Sequence, residues 1–318
     1  MNDQLKKQIE EQYGLAIGNV VDAPRQFVAE TYILECKDVK YFCKIVTKPL
    51  FIQPLVKSLP VLNELRLQGL ERVNYPIPTK RGKLYLKENG ALIVLFNYID
   101  AKQSENYDFY SLGKLIATVH DMASKVSLPV AKEGFVYQYA GTFEKQFNDI
   151  ITSTSSDEIA QLLKALLTKY LEEINHDYTN FMQLCQVLKT KEFAMVITHG
   201  DPGGNILAKS PTELYLIDWD NILLAPPERD TWFFQHETEF IRGYRSIFPK
   251  YQANEELSHF FTYKRYFEDL VEYFAEILGD GAEVHRQKNL NGLESDCLEG
   301  WLRPSIRRFD PIPVFDTL

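Results

Sequence analysis

The chain has 318 residues, of which 45% are hydrophobic and 13% are aromatic, so it is long and apolar enough to bury a large core. Its formal net charge of −9 disfavours nucleic acid as the main partner, because phosphate-binding proteins usually present a basic face, and it is compatible with a cationic small-molecule ligand. The longest apolar run, Ala91 to Ile99, is too short to span a bilayer, and the polar N-terminus is unlike a signal peptide, so we expect a cytoplasmic protein without a membrane partner.

The first hundred residues are predicted to be mainly β-strands. Residues 26–36 and 40–47 flank a Lys37-Asp38 turn and form one candidate hairpin. Residues 83–99 contain a second hairpin, with Asn89-Gly90 as its turn. Two hairpins of this kind indicate an antiparallel sheet.

The rest of the chain is predicted to be mainly helical. One helix between the two hairpins is closed by Gly69, while Pro54 and Pro60 obscure where it begins. After about Asp100 a helix begins at a Ser111 N-cap, because apolar residues then recur at helical spacing. Further helices are predicted at residues 153–174, 231–246, 255–279 and 282–303.

These elements predict an α+β fold with two lobes. The small antiparallel β lobe comprises residues 1–97, and the larger, mainly helical lobe comprises residues 98–318. We expect a ligand to bind in the cleft between the lobes.

A cluster of polar residues interrupts the helical half at "THGDPGGN", residues 198–205. The strands "NILA" and "ELYLID" follow it and are predicted to pair as a hairpin. Because the start of one antiparallel strand lies beside the end of the other, Asn205 and Asp218 are expected to converge, with Asp201 on the preceding bend. Two carboxylates about 4 Å apart repel by roughly 4 kcal/mol at an effective dielectric constant near 20. A divalent cation offsets that repulsion, so these oxygens predict a Mg²⁺ site.

The same residues carry a resemblance to a known family. "HGD…N" followed by "IDWD" resembles the catalytic core of the kinase-like aminoglycoside phosphotransferase and choline kinase family. Residues 214–234, "LYLIDWDNILLAPPERDTWFF", are most similar to its spectinomycin-phosphotransferase-like branch. The similarity extends to "YFCKIV", "LGKLIATVH" and "RRFDP", and it implies a two-lobed protein-kinase-like fold.

The resemblance implies roles for individual residues. Asp201 matches the catalytic aspartate, which orients the acceptor hydroxyl and takes its proton. Asn205 and Asp218 match the two Mg²⁺ ligands. Lys44 matches the lysine that contacts the α- and β-phosphates of the nucleotide. Without the downstream motif, Lys44 would be interpreted as an exposed strand lysine.

The nucleotide site has further candidates. The resemblance implies that the connector "LFNYID" places backbone against adenine, as in the family, which makes Phe96 and Tyr98 candidate nucleotide-binding residues. The lysine usually pairs with a Glu on the following helix, at a position that here falls near Val56, where no acid occurs. Glu64 is the expected substitute, with Gln53 behind it.

Other polar residues are expected to be structural. His199 is expected to hold the loop by hydrogen bonds, and His120 to be a satisfied core histidine. Asp220 and Asp230 are also interpreted as structural, with Asp230 as an N-cap for the helix that begins "TWFF".

The sequence departs from the family pattern at three places. Three residues, not four, separate Asp201 from Asn205, and no acid lies near Val56. The turn that covers the phosphates is usually rich in glycine, whereas here Pro24 and Arg25 would have to shape it.

We therefore expect an ATP- or GTP- and Mg²⁺-dependent phosphotransferase that moves the γ-phosphate to a hydroxyl of a small molecule, such as an aminoglycoside, spectinomycin or a related alcohol. The alternative is a pseudokinase-like protein that binds nucleotide or a small molecule with lost or altered catalysis. A metal-dependent hydrolase is disfavoured, because the sequence shows no second His/Asp cluster.

Acceptor contacts are expected on the helices after residue 231. The acidic and aromatic residues there could hold a cationic acceptor or could form solvated helix faces: Glu237, Glu239, Tyr244, Glu268 and Asp269.

Overall fold

The computed structural model describes residues 1–23, 29–103, 106–300 and 302–307. The chain forms two compact units. The first unit contains Met1–Lys132 and Ala194–Gln252, and the second contains Glu133–Phe193 and the chain from Ala253 onward. The predicted lobe boundary after residue 97 falls inside the first unit and remains a prediction.

The strands of the described residues lie in the first unit and form three antiparallel sheets. The largest has five described strands in the order β1-β2-β3-β5-β4, and the smaller ones pair β6-β8-β9 and β10-β7. In chain order the strands are β1 Ile17–Asp22, β2 Ala29–Cys36, β3 Lys40–Val46, β4 Leu86–Glu88, β5 Ala91–Asn97, β6 Lys102–Gln103, β7 Val196–Thr198, β8 Ile206–Ser210, β9 Glu213–Leu216 and β10 Leu223–Ala225.

Helices make up most of the remaining chain. Short 3₁₀ turns cover Met122–Lys125 and Trp232–Phe234, and a π-helical turn covers Leu293–Leu298. In chain order the helices are α1 Asp3–Tyr13, α2 Pro49–Leu67, α3 Phe109–Asp121, α4 Ala140–Thr152, α5 Glu158–Lys169, α6 Leu171–Leu188, α7 Glu228–Thr231, α8 Thr238–Arg245, α9 Glu255–Leu278, α10 Glu283–Gly292 and α11 Leu302–Arg307. The predicted fold class, a small antiparallel sheet followed by a mainly helical remainder, is confirmed.

Strands β3 and β5 of the five-stranded sheet are buried on both faces, and the alternation of side chains along β3 decides where Lys44 points. Side chains alternate between the two faces of a strand. On β3, Cys43 and Ile45 join a core cluster with Ile9 of α1, whereas Val46 joins the cluster on the opposite face. Lys44 lies between Cys43 and Ile45, so its side chain is directed to the Val46 face.

The predicted hairpins are present. The turn at Asn89-Gly90 has φ values of +48° and +83°, the left-handed backbone that a two-residue hairpin turn requires. The first hairpin joins β2 to β3, and its predicted beginning at residues 26–28 lies outside the described residues.

Helix α2 contains both prolines that obscured its start. Pro49 lies in its first turn, and Pro54 and Pro60 lie inside it. Each internal proline removes one backbone hydrogen bond. The buried face that includes Leu55 and Leu59 compensates by packing into the core of the first unit.

Helices α3 and α8 pack closely through two glycines. A Cβ on Gly113 would lie 2.1 Å from the carbonyl oxygen of Phe240, and one on Gly243 would lie 2.0 Å from that of Tyr110. Any larger side chain would force the helices apart. The predicted N-cap of α3 at Ser111 is wrong, because Asp108 caps the helix and its carboxylate accepts from the backbone N–H of Ser111.

The second unit is a helical body with an aromatic core. The rings of Phe181 and Phe267, on α6 and α9, stack with centroids 5.5 Å apart. The predicted helix at residues 153–174 is two helices, α5 and α6, which meet at Tyr170. Within the described ranges, none of the helices is long and apolar enough to cross a membrane.

Candidate active site

Lys44 is buried against two aspartates. Its side chain is 2% exposed, and Nζ lies 2.5 Å from Oδ1 of Asp218 and 2.6 Å from Oδ2 of Asp220. An isolated buried ammonium is strongly destabilised, so these carboxylates are what keep it charged. Burial alone would lower the pKa of Lys44, but the negative charges of Asp220 and Asp218 outweigh it and raise the pKa.

The pKa values of the two carboxylates are shifted in opposite directions. Burial is the largest single influence and would raise the pKa of Asp218, but the charge and hydrogen bond of Lys44, together with smaller contributions from His199 and Asp220, outweigh it and hold this pKa below its usual value. Burial raises the pKa of Asp220 to about 6, and the neighbouring charge of Asp218 adds to that effect against the opposing charge of Lys44. Asp218 is thus the carboxylate that stays ionised most readily.

The backbone of Asp218 has an unusual conformation. Its φ of +65° lies in the left-handed region, which residues other than glycine rarely adopt. Such residues are held by surrounding structure and cluster at functional sites. Here the next residue, Trp219, is buried and donates from Nε1 to the Leu216 carbonyl at 3.1 Å. That contact fixes the bend on which Asp218 lies.

The loop that carries Asp201 is held by His199. The imidazole Nε2 donates to the Ile217 carbonyl at 2.7 Å, and Nδ1 accepts from the Asp201 backbone N–H at 3.2 Å. Both ring nitrogens are therefore engaged with backbone. His199 holds the loop by hydrogen bonds, as the sequence predicts, and ties it to the strand end next to Asp218.

Asp230 of α7 anchors the same loop by hydrogen bonds to its backbone. Its carboxylate accepts from the backbone N–H groups of His199 and Gly200, both at 2.7 Å, and from His120 Nε2 at 3.1 Å. Burial would raise the pKa of Asp230, but the hydrogen bond from His120 and nearby positive charge outweigh it and lower the pKa. The structural interpretation of Asp230 and the core placement of His120 agree with these contacts. The predicted N-cap role is wrong, because Asp230 lies inside α7 and its carboxylate is directed to the loop.

Gly200 is required at its position for two reasons. Its φ is +99°, and a Cβ there would lie 2.2 Å from Nη2 of Arg229. Arg229 is itself held, since Nη1 donates to Thr198 Oγ1 at 2.7 Å. The loop can therefore bend tightly over the guanidinium only with glycine at position 200.

Asn205 lies between Asp201 and the segment that carries Asp218. Its Nδ2 donates to the Asp201 carbonyl at 2.8 Å and lies 3.4 Å from Oδ2 of the same residue. Its backbone carbonyl accepts from Ile217, the residue before Asp218, at 3.0 Å. The hairpin of β8 and β9 pairs Ile206 with Leu216, so the predicted register is present and places residues 205 and 217 side by side.

The donor set is compatible with a hard cation. Within the described ranges, no cluster of three or more His, Cys, Asp or Glu side chains forms a metal-binding group. The expected set differs from such a cluster, because it combines the Asp218 carboxylate with the amide oxygen of Asn205. The Asn205 nitrogen is committed to Asp201, which leaves the amide oxygen for a cation. Carboxylate and amide oxygens are ligands that Mg²⁺ accepts, so these residues fit the ion.

Glu64 is not the partner of Lys44. Its carboxylate accepts from Ser127 N at 2.9 Å, Ser127 Oγ at 2.6 Å and Leu128 N at 3.2 Å. The expectation for Glu64 is therefore wrong. The carboxylate of Glu64 faces the segment at Ser127 and Leu128 and not Lys44. The acids on the Lys44 ammonium are Asp218 and Asp220. Gln53 is exposed on α2.

The two candidate residues of the expected nucleotide-binding connector, "LFNYID", have different environments. Phe96 pairs with Phe42 of β3 and with Pro76, and its side chain is 3% exposed, so it is committed to the sheet. Tyr98 follows the end of β5 and is half-buried. Among described residues, the backbone N–H and C=O of Tyr98 make no hydrogen bond. The expected phosphate-covering turn at Pro24 and Arg25 lies outside the described residues.

Tyr244, Glu239 and Asp269 of the candidate acceptor set have defined partners inside the protein. Tyr244 is buried, and its hydroxyl shares a hydrogen bond with His120 Nδ1 at 2.7 Å. Glu239 pairs with Arg242, and Asp269 pairs with Arg265. For Glu239 this pair fits the interpretation as a solvated helix face, whereas the side chain of Asp269 is only 14% exposed.

Sequence reasoning missed two contributors to the site. Asp220 was interpreted as structural, although it binds the Lys44 ammonium directly. The other is Ser58 of α2, whose Oγ donates to the backbone carbonyl of Asp220 at 2.9 Å. The second aspartate of "IDWD" was a usable signal for Asp220, because a buried lysine requires a nearby acid. Nothing in the sequence indicates the contact of Ser58.

Comparisons with known proteins relate this geometry to solved structures. No protein-family model matches the sequence, and a search of curated proteins finds no match. The complex of spectinomycin phosphotransferase APH(9)-Ia with ADP and spectinomycin is similar at a TM-score of 0.72 and 20% identity, covering 98% of this chain and 95% of that one.

Other small-molecule kinases are also similar. The GDP and kanamycin complex of APH(2")-IIia gives a TM-score of 0.58 at 13% identity, covering 92% of this chain and 98% of that one. Choline kinase LicA from Streptococcus pneumoniae gives 0.55 at 14% identity, covering 96% of this chain and 98% of that one. At these identities the likeness establishes the fold. The chain therefore has the kinase-like fold of aminoglycoside phosphotransferases, spectinomycin phosphotransferase and choline kinase.

Proposed function

We propose that the protein is an ATP- or GTP-dependent, Mg²⁺-dependent phosphotransferase that acts on a hydroxyl of a small molecule. The observation that supports it most strongly is the buried contact of Lys44 with Asp218, next to the loop of Asp201 and Asn205. A lysine, two oxygen ligands and a carboxylate are the groups that phosphoryl transfer needs, since catalysis depends mostly on positioning and charge stabilisation.

Each residue has a task in this proposal. Lys44 contacts the α- and β-phosphates of the nucleotide, and the backbone N–H and C=O of Tyr98 form hydrogen bonds with the nucleotide base. Asn205 and Asp218 hold Mg²⁺, which when bound neutralises charge on the phosphates. Asp201 lies on the loop fixed by His199, where its carboxylate orients the acceptor hydroxyl.

The proposed reaction is a single displacement. The acceptor oxygen bonds to the γ-phosphorus, and the bond from that phosphorus to the β–γ bridging oxygen breaks. The proton of the hydroxyl passes to Asp201, and the nucleoside diphosphate leaves with the bridging oxygen. The products are a phosphate monoester and ADP or GDP.

The solved structures support the nucleotide and the acceptor class. Spectinomycin phosphotransferase was crystallised with ADP and spectinomycin, and APH(2")-IIia with GDP and kanamycin. We extend these classes to this chain as an aminoglycoside, spectinomycin or related alcohol, with a cationic acceptor favoured by the net charge of −9. Residues 1–97 would form the nucleotide-binding lobe and residues 98–318 the acceptor lobe, in a cytoplasmic protein with access to ATP and GTP.

A transfer assay tests the proposal. Purified protein is incubated with Mg²⁺, γ-labelled ATP or GTP and a panel of spectinomycin, kanamycin and choline. We expect a labelled acceptor with at least one pair, and no label with the Asp201→Ala variant. Nucleotide binding without transfer to any acceptor would favour the pseudokinase-like alternative, which the shortened loop between Asp201 and Asn205 motivates. Absence of both binding and transfer would contradict both readings.

A further inference from the structure

We propose that Asp220 is the acid that positions Lys44 for the nucleotide, and that Ser58 on α2 fixes Asp220 in turn. The inference rests on the proposed function for its nucleotide part. In this proposal Asp220, the last residue of "IDWD", pairs with the Lys44 ammonium in place of the helix acid that is absent near Val56. Helix α2 is connected to the lysine only indirectly, through Ser58.

The first step of the argument is the charge of the buried cluster. Lys44 is 2% exposed, and Asp218 and Asp220 both contact its Nζ. One ammonium between two carboxylates has one negative charge in excess when both acids are ionised. If Asp218 binds Mg²⁺, the buried ammonium still requires a carboxylate. Asp220 supplies it, since its Oδ2 lies 2.6 Å from Nζ of Lys44.

The exposure of the two acids fits a role for Asp218 as a Mg²⁺ ligand and for Asp220 as the partner of Lys44. The side chain of Asp218 is 25% exposed, whereas that of Asp220 is 15% exposed. Asp218 also has the left-handed backbone and follows Ile217, which is paired with the metal-ligand candidate Asn205. The acid on the Asn205 side is therefore the one available to a cation, and Asp220 is available to Lys44.

The second step is the contact from α2. Ser58 is 3% exposed, and its Oγ donates to the Asp220 carbonyl at 2.9 Å and accepts from the Ile222 N–H at 3.2 Å. One hydroxyl thus holds the backbone on both sides of Asn221. Both contacts of Ser58 are with backbone and not with the ammonium, so α2 acts on Lys44 through the position of Asp220.

A double-mutant cycle tests the pairing without nucleotide. Urea unfolding is measured for the wild-type chain, Lys44→Met, Asp220→Asn and the double variant, with Asp149→Asn as a control. Asp149 is a matched control because it also binds a lysine, Lys145 at 2.8 Å, but on the surface. We expect the midpoint shifts of Lys44→Met and Asp220→Asn to be non-additive and the control shift to be small. Additive shifts would overturn the inference.

The same cycle measured by titration with ATP and Mg²⁺ tests the positioning role. Asp220→Asn should weaken binding about 10- to 100-fold in the wild-type background and leave it unchanged in the Lys44→Met background. An equal loss in both backgrounds would mean that Asp220 acts on the metal or nucleotide directly and would overturn the inference. If the wild-type chain binds neither ATP nor GTP, the proposed function fails, and the urea cycle alone decides the pairing.

Ser58→Ala keeps the test decisive if Asp220→Asn does not fold. It removes both backbone contacts and leaves every charge in place. Ser246→Ala is its matched control, since Ser246 Oγ also donates to a backbone carbonyl, that of Gly243 at 2.6 Å. We expect Ser58→Ala to weaken ATP binding severalfold only when Lys44 is present, with no change for the control. No change for Ser58→Ala would overturn the role of α2.

Discussion

Lys44 and Asp218 are separated by 174 residues in the sequence, yet Nζ of the lysine lies 2.5 Å from Oδ1 of the aspartate. The contact joins β3 to the segment that follows β9. With Asp220 it forms a cluster that has more carboxylate than ammonium charge. A divalent cation at Asp218 would supply the missing positive charge, which connects the buried ion pair to the proposed chemistry.

The first prediction concerns Asp201. Asp201→Ala should lower phosphoryl transfer by about 10²- to 10⁴-fold, because the acceptor hydroxyl loses its proton acceptor and its alignment. Nucleotide affinity should stay close to that of the wild-type chain, since Lys44 and Asp218 are unchanged. Parallel transfer assays and titrations check both halves. Full turnover in the variant would rule out the role of Asp201.

The second prediction concerns the buried anchor of the loop. Asp230→Asn should lower the free energy of unfolding by about 3–5 kcal/mol, because an amide nitrogen would face N–H donors that now meet a carboxylate. One carboxylate oxygen accepts from the backbone N–H of His199 and the other from that of Gly200, so the amide nitrogen would leave one of these donors without its acceptor. Urea unfolding measures the loss. A change as small as that of the surface variant Asp149→Asn would show that Asp230 does not anchor the loop.

The third prediction is a pH dependence with a definite sign. The pKa of Asp230 is lowered in the folded chain, so its stabilisation is fully present above the ordinary carboxyl pKa of about 4 and is lost as pH falls through the lowered folded value. The groups that face it are His120, Arg229 and His199. Unfolding free energies from pH 7 to pH 3 should therefore fall more steeply for the wild-type chain than for Asp230→Asn. Parallel curves would contradict the assignment.

The fourth prediction compares two glycines of one loop. Gly200→Ala should destabilise the chain by about 1–3 kcal/mol, since φ is +99° and the new Cβ would meet the Arg229 guanidinium. Gly204→Ala should change stability by less than about 0.5 kcal/mol, because nothing lies within 4 Å of a Cβ there. Thermal or urea unfolding of both variants checks the contrast, and equal effects would refute it.

Local sequence signals predicted part of this structure well. The turn at Asn89-Gly90 follows from its residue types, and the pairing of the start of β8 with the end of β9 follows from the geometry of an antiparallel hairpin. The second of these also placed Asn205 beside the segment of Asp218, since antiparallel strands leave little choice of neighbours. The fold class followed from the same patterns.

Contacts between distant elements could not be predicted in this way. The path of α2 through Pro54 and Pro60 depends on a buried face that outweighs two lost hydrogen bonds. The choice of Asp220 over Glu64 for Lys44 depends on which elements meet in three dimensions, and helical spacing alone does not contain that information. Ser58 illustrates the same point, because a serine inside a helix gives no sign that it binds backbone 162 residues away.

The most direct test of the central claim is calorimetric titration of the protein with ATP and with GTP, each with and without Mg²⁺, for the wild-type chain and Asp218→Asn. We predict binding that requires Mg²⁺ and that weakens at least about tenfold in the variant, as expected for loss of a charged metal ligand. Absence of binding under every condition, or binding that neither Mg²⁺ nor Asp218→Asn alters, would contradict the account of Lys44, Asn205 and Asp218 as a nucleotide site.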